Sequence, residues 1–274
     1  MVRIPFVKMS GAGNDFVVID NRDSILPHAE TDFLRKICQR RVSIGADGVL
    51  LVEKSDLADF KMCYFNSDGN EVETCGNGAR CISRFAYLNG IASDKMRFET
   101  KVGIYQSEVI KSNVKVRLGN PTQVRLSFPL QLSDGVHDVS FANTGVPHVV
   151  LLSENLEEID VTRFGTQIRY HEDFEPAGAN ANFVQVRSNQ EIYIRTYERG
   201  VEDETFACGT GSVASVIVLA LGGKVFSPVR VNTLSGFNLT VYFDLVDDEA
   251  QDVYLEGDAR LICEGQISES AWQY

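Results

Sequence analysis

The 274-residue sequence predicts an α/β (α+β) protein built of two similar halves, each a sheet folded about a helix. Three observations predict it. One stretch is written twice, first as Glu71-Val-Glu-Thr-Cys75-Gly76-Asn77-Gly78-Ala79-Arg80-Cys81 and again as Glu204-Thr-Phe-Ala-Cys208-Gly209-Thr210-Gly211-Ser212. In both, an acidic, Thr-containing lead-in reaches a cysteine, Gly-x-Gly follows, and an apolar helical pattern begins. Other pieces repeat in the same order. Gly13-Asn14-Asp15-Phe16-Val17-Val18-Ile19 aligns with Gly145-Val146-Pro147-His148-Val149-Val150-Leu151, and Ala46-Asp47-Gly48-Val49 echoes Ala181-Asn182-Phe183-Val184. Tyr64-Phe65-Asn66 precedes Cys75 much as Tyr197-Glu198-Arg199 precedes Cys208, while Gly13 and Gly145 lie 62 and 63 residues before their cysteines. Shared order at nearly constant spacing means internal duplication. Finally, the helix from Ser212 to Leu221 is apolar nearly all round, so it must be buried on every side, as a sheet wrapped around it would do. Two halves related by a pseudo-two-fold would set the two cysteines facing one another across a cleft.

The elements follow in order. Ile4 to Met9 reads as a strand, Ser10 to Asp15 as a turn, and Phe16 to Asp20 as the next strand. Thr31 to Arg41 has helical spacing, with Phe33, Leu34, Ile37 and Cys38 on one side. Strands are expected over Val49 to Glu53 and Phe60 to Phe65, with a hairpin turn at Asn66-Ser67-Asp68-Gly69-Asn70. The first helix runs from Gly76 to Leu88 and ends at Asn89-Gly90. Short strands follow over Met96–Thr100, Ile104–Ile110 and Asn113–Leu118, and Asn120-Pro121-Thr122 reads as the domain boundary. Phe141 to His148 leads into the strand Val149–Leu152. Asp160 to Tyr170 is expected as a short helix and His171 to Pro176 as loop. Phe183–Arg187 and Glu191–Tyr197 pair, the second helix ends at Gly222-Gly223, and strands continue to Ile262.

Composition excludes several classes. Lys and Arg total 26 against 38 Asp and Glu, a net charge of −12, which argues against nucleic acid. The opening Met1-Val-Arg-Ile-Pro-Phe-Val-Lys8 has no signal-peptide core, and the longest apolar run, Val213 to Leu221, is too short for a bilayer. A cytoplasmic protein without membrane contact is expected. In a reducing cytosol the six cysteines are not read as three disulfides. Cys38, Cys63, Cys81 and Cys263 read as small core residues. No Cys-x-x-Cys is present and the histidines 28, 137, 148 and 171 are scattered, so no metal is expected. Gly11-Ala12-Gly13 lacks the third glycine of a dinucleotide loop, since position 16 is Phe, and no nucleotide or pyridoxal-phosphate motif replaces it. No cofactor is expected.

A cysteine at a helix N-terminus meets unpaired N–H groups and the positive end of the dipole, which favours thiolate. Two such thiols suit a reaction that is nearly symmetric in its two directions. Inverting a stereocentre is one: a thiolate removes the α-hydrogen from one face and a thiol returns a proton from the other. The amides after Cys75 and Cys208 would then hold the growing charge on the substrate carboxylate.

Through Lys8-Met-Ser-Gly-Ala-Gly-Asn14-Asp-Phe, Phe65-Asn66-Ser-Asp-Gly-Asn, Glu73-Thr-Cys75-Gly-Asn-Gly-Ala-Arg-Cys, Tyr197-Glu-Arg199-Gly, Ala207-Cys208-Gly-Thr-Gly and Gly257-Asp-Ala-Arg, the chain resembles the diaminopimelate epimerases. These motifs span nearly its whole length. The resemblance implies cofactor-independent interconversion of LL- and meso-diaminopimelate, a step toward lysine and peptidoglycan precursors, commonly in a homodimer. It implies two α/β domains, each a curled, mainly antiparallel sheet around a central helix, with residues 1–119 plus about 256–274 in one and 120–255 in the other. Cys75 and Cys208 become the acid/base pair, and Gly76, Asn77, Gly209 and Thr210 bind the reacting carboxylate. Asn14, Asn66, Asn180 and Arg199 grip the distal amino-acid end, while Glu198 and His148 flank the reacting centre. Two positions depart from the pattern: Val146 stands where many members carry Asn, and Gly48 where some have Gln.

Plainer readings stand beside these. Asn14 and Asn66 sit in turns, where Asn is common for backbone reasons. Arg199 reads equally as a solvated loop charge, His148 as the start of a strand, and Asn182 competes with Asn180 for the same role. Core packing, by contrast, calls for no Gly-x-Gly after either cysteine. The rival functions are a related two-cysteine amino-acid racemase with another substrate, and a redox protein switching through a Cys75–Cys208 disulfide.

Overall fold

The computed structural model describes residues 3–26, 30–73 and 75–274. His28 and Thr74, which figure in the sequence reading, lie outside them. The protein is α+β, with many strands and four α-helices among the described residues: α1 (Thr31–Ile37), α2 (Gly76–Leu88), α3 (Val161–Arg169) and α4 (Gly209–Leu221). The chain divides into two compact units, Met1–Val116 with Gly257–Tyr274, and Arg117–Glu256.

In the first unit, Arg3–Gly11 pairs antiparallel with Asn14–Asp20, which lies parallel to Gly48–Glu53, and that strand is antiparallel to Phe60–Asn66. Phe60–Asn66 also takes Glu71–Val72 antiparallel and Lys95–Thr100 parallel, and Gly103–Ile110 and Asn113–Arg117 complete the run antiparallel. The parallel centre is buried on both faces, which explains the continuous apolar run Val49-Leu-Leu-Val52. One face carries α1, whose Leu34 and Ile37 join Val17, Ile19, Val49 and Leu51 in one core cluster. The other carries α2, which touches strands from Arg3–Gly11 across to Gly103–Ile110, so the sheet curls around it.

The second unit repeats this pairing strand for strand. Gly135–Asn143, Pro147–Leu152, Asn180–Ser188 and Glu191–Glu198 form the same antiparallel, parallel, antiparallel series. Asp203–Thr205, Val229–Asn232, Asn238–Val246 and Glu249–Asp258 then continue it in the same order. In this unit α4 is buried at every residue from Gly211 to Ala220, within a sheet that it touches on six strands. Gly13 and Gly145 occupy corresponding hairpin turns at φ of +90° and +97°, a conformation that only glycine adopts without strain.

The strand registers correct two of the sequence alignments. Phe16 lies opposite Gly48, and His148 opposite Asn180. Phe16 and His148 each follow their turn glycine at the same distance, so Gly48 corresponds to Asn180 and Leu50 to Asn182. Likewise Val49 faces Phe65 and Ala181 faces Tyr197, which makes Asn66 the counterpart of Glu198. The hairpin after Glu198 is one residue longer than that after Asn66, and this extra residue displaces the alignment.

Other expectations also change. The helix expected over Thr31–Arg41 ends at Ile37, because Gln39-Arg40-Arg41 offers no apolar face and Arg41 turns to φ +73°. No element was expected over residues 122–140, yet Thr122–Leu132 and Gly135–Asn143 form a long hairpin. Its Pro129 lies opposite Asp138 on a strand whose described register is with Gly135–Asn143 alone, the edge setting in which proline is tolerated. The loop 171–176 contains a turn of 3-10 helix, and the last strand reaches Ser268. Cys263 is exposed on that strand rather than packed in the core; Cys38, Cys63 and Cys81 are buried, and burial pushes each thiol up to about 12.

Candidate active site

Both repeated cysteines are the N-cap residues of their helices, with extended backbone at φ −146° for Cys75 and −113° for Cys208. An N-cap residue lies against the open N–H groups of the first turn. Neither helix places an acidic residue in that turn, so nothing on the helix itself cancels the dipole there.

Around Cys75, the Asn14 amide is fully oriented. Its Nδ2 donates to Asp47 Oδ2 at 2.7 Å, so its Oδ1 faces the helix end and accepts from Asn77 Nδ2 at 3.4 Å, with Cys75 Sγ 3.6 Å away. Asp47 is held in turn by Arg40, which also binds Asp15. Burial opposes charge on Asp15, but Arg40 and Lys8 overcome it and hold that carboxyl down at about 2. Beneath the cap lies Arg80, with no exposed surface. Its guanidinium donates to Asn77 Oδ1 at 2.7 Å, to the Gly76 carbonyl and to the Asp258 carbonyl at 3.2 Å. Burial lowers the Arg80 pKa. Asn66 is reached by the Tyr64 hydroxyl, which donates to Asn66 Oδ1 at 2.7 Å. Gly48 lies under that ring: a Cβ there would meet the Phe65 carbonyl at 2.5 Å and Tyr64 Cε2 at 2.7 Å. Any side chain at this position would therefore require the Phe65 backbone or the Tyr64 ring to shift.

The surroundings of Cys208 are built differently. Its Sγ lies 3.4 Å from Thr210 Oγ1, which lies 3.0 Å from His148 Nε2. His148 is fully buried, and burial, aided by the charge of Arg199, pushes its imidazole down to about 3. His148 Nδ1 in turn meets Asn182 Nδ2 at 3.2 Å. The Asn180 side chain accepts the Arg199 N–H at 2.8 Å and donates to the Pro147 carbonyl at 3.0 Å, so it braces the loop that carries Arg199. The Arg199 guanidinium donates to the Ala177 carbonyl. Burial raises the Glu198 carboxyl, although the Thr205 hydroxyl donates to it. Val146 sits half-buried in the hairpin turn that precedes His148.

The fold thus groups Asn14, Asn77 and Cys75 in one unit, with Asn66 beside Gly48, and groups His148, Thr210 and Cys208 in the other, with Asn180 and Arg199 joined. Asp47, Arg80 and Tyr64 receive no role from sequence, and Asn182 is weighed there only as a rival to Asn180. A charge at Arg80 on an otherwise apolar helix face, and the spacing Asn180-x-Asn182 on one strand face, were the available signals. Among the described residues, no group of His, Cys, Asp and Glu has the arrangement of a metal site, and no helix is long and apolar enough to cross a membrane.

Comparison with known proteins extends these observations. The family model described as diaminopimelate epimerase matches residues 6–124 and 140–262. The diaminopimelate epimerase of Aquifex aeolicus (strain VF5) is 44% identical over 98% of this chain and 99% of its own. Among solved structures, a Bacillus anthracis phenazine biosynthesis protein of the PhzF family superposes with a TM-score of 0.75 at 17% identity, over 98% of this chain and 100% of that one. A probable proline racemase from Agrobacterium radiobacter K84 gives 0.71 at 14% identity, over 97% and 93%. At such identities these structures share the fold.

Proposed function

The chain belongs to the diaminopimelate epimerase family, and from that premise we propose that it interconverts LL- and meso-diaminopimelate without a cofactor, using Cys75 and Cys208 as its two bases. The observation that carries the reading is the matched pair of N-cap cysteines on helices of two units with the same strand pairing.

In this reaction one sulfur, as thiolate, takes the α-hydrogen as a proton, and the electron pair of the C–H bond passes into the adjacent carboxylate. The other sulfur, as thiol, gives its proton to the opposite face of the carbon. No atom is gained or lost, and the enzyme ends with its two sulfurs in exchanged protonation states. The dianionic carboxylate is met by the amides of Gly76, Asn77, Gly209 and Thr210, donors that need no reorganisation as the charge grows. Asn14, which the family resemblance assigns to the far end, has its Oδ1 against Cys75 Sγ and Asn77 and so offers its acceptor beside the reacting centre. At the far end Asn66 offers an acceptor to the ammonium, and Arg199, set by Asn180, pairs with the carboxylate. Glu198 and His148 flank the reacting carbon. On the same reading the reaction belongs to a cytoplasmic route to lysine and peptidoglycan precursors and is carried out by a homodimer; membership of the family supports this.

The test is α-hydrogen exchange in heavy water with LL- and meso-diaminopimelate, beside proline and glutamate. Deuterium entry with epimerisation of diaminopimelate alone is the expected result. Exchange of a different amino acid would keep the two-thiol chemistry and replace the substrate, and no exchange by folded, reduced protein would remove the catalytic reading. Sedimentation of the protein checks the dimer.

A further inference from the structure

The hydrogen bonds around His148 have a definite direction. Asn182 Nδ2 lies 2.9 Å from the Val149 carbonyl, which can only accept, and Asn182 Oδ1 receives the Thr196 hydroxyl at 3.1 Å. The amide is therefore oriented, and its second N–H is aimed at His148 Nδ1, 3.2 Å away. An amide nitrogen only donates, so Nδ1 must accept. With its pKa down at about 3, the ring is neutral at physiological pH, and a neutral ring with an accepting Nδ1 carries its hydrogen on Nε2. Nε2–H then donates to Thr210 Oγ1, which leaves the Thr210 hydroxyl hydrogen directed at Cys208 Sγ.

We infer that Asn182 is a positioning residue: it selects the His148 tautomer that makes Thr210 a donor to Cys208, and so favours this sulfur as thiolate. A second feature supports this. A Cβ on Gly211 would meet Asn182 Oδ1 at 2.3 Å and His148 Cε1 at 3.3 Å, so α4 has room for this amide only because position 211 is glycine. The charged groups near the chain are Arg199, which acts on His148, and Glu198, whose carboxyl burial raises; α4 itself carries no charge. The first unit has no such chain, since Phe16 and Leu50 occupy the positions of His148 and Asn182. The catalytic meaning of the inference rests on the epimerase reading, but the direction of the hydrogen bonds does not.

The test uses the full, reduced protein without substrate. Nitrogen-15 spectra report the His148 tautomer, and iodoacetamide followed by peptide mass spectrometry reports the thiolate at each cysteine. Wild type should show Nε2–H. Asn182→Asp places an acceptor beside Nδ1 and should move the hydrogen to it. Alkylation of Cys208 at neutral pH should then fall about tenfold, as for a one-unit rise in the thiol pKa, while Cys75 in the same digest is unchanged. Thr210→Val should slow Cys208 alike, and Thr210→Ser should keep the wild-type rate; these two variants decide the matter if Asn182→Asp does not fold. A wild-type Nδ1–H tautomer, an unchanged Cys208 rate in Thr210→Val, or equal slowing at both cysteines would overturn the inference. Since no readout involves diaminopimelate, a directed chain in a protein that fails to exchange that substrate would refute the epimerase reading alone.

Discussion

The two helix ends share a backbone and differ in their electrostatics. Below Cys75 lies a buried guanidinium, Arg80; the corresponding residue below Cys208 is Val213, equally buried. Beside Cys75 a carboxylate network orients Asn14, whereas beside Cys208 a neutral series through Thr210 and His148 reaches Asn182. What the halves kept alike is the part that peptide dipoles supply, the capped helix with open amides. What diverged is how each end is supported, by an ion on one side and by aligned neutral dipoles on the other. Chemically matched thiols therefore do not require matched surroundings.

The largest effects should come from the thiols. Cys75→Ala and Cys208→Ala should each reduce epimerisation by about a thousandfold or more, within the range for losing a general acid or base, as followed by chiral chromatography of the products. A variant retaining much of its rate would show that the two ends are not equal partners. Next is Arg80→Met. It strips the donor from the buried Asn77 Oδ1 and should cost about 2–3 kcal/mol in denaturant unfolding, the scale of leaving a buried polar group unmatched. An unchanged midpoint would mean that the buried ion does not support the first end.

Acid should separate the two units. His148 binds a proton in the unfolded chain near 6.5 but in the folded protein only at about 3, so between these values the unfolded state holds more protons and stability falls as pH falls. Asp15 is depressed from 3.8 to about 2, so its contribution is complete above the first value and is lost as pH drops through the second. Denaturant unfolding at a series of pH values should show His148→Gln flattening the upper part of the decline and Asp15→Asn the lower part. If both variants altered the same window, the contrast would fail. The smallest effect is expected from Tyr64→Phe, which removes one hydrogen bond to Asn66 and should weaken substrate binding by about 1 kcal/mol, read as a rise in KM with kcat kept.

Much of this was legible in sequence because the duplicated signals are local. Gly-x-Gly after each cysteine, turn glycines at 13 and 145, and an apolar α4 each follow from short-range chemistry. The register was not legible: one extra residue after Glu198 shifts the alignment around Asn66, the weak echo at Ala46 is three residues out, and only cross-strand pairing reveals either. The hairpin over residues 122–143 contains Pro129, a residue that argues against a strand unless the strand lies at an edge. How the site is oriented was illegible for a different reason. Asp47 and Asn182 act through another side chain, and the direction of an amide is set by contacts from elsewhere in the fold: Asp47 for Asn14, the Val149 carbonyl for Asn182.

The second unit obtains its outer strand, Thr122–Leu132, from the hairpin that opens it, while the first unit obtains the equivalent strand, Arg260–Ser268, from beyond the whole of the second. On the ribosome this separates the two in time. Arg3–Gly11 emerges early and waits with one edge open until every strand of the second unit has been made. An unpaired edge is where a growing chain is most exposed to pairing with the wrong neighbour. The later half can therefore reach its full complement of strands first, and the half that is synthesised first is the last to be closed.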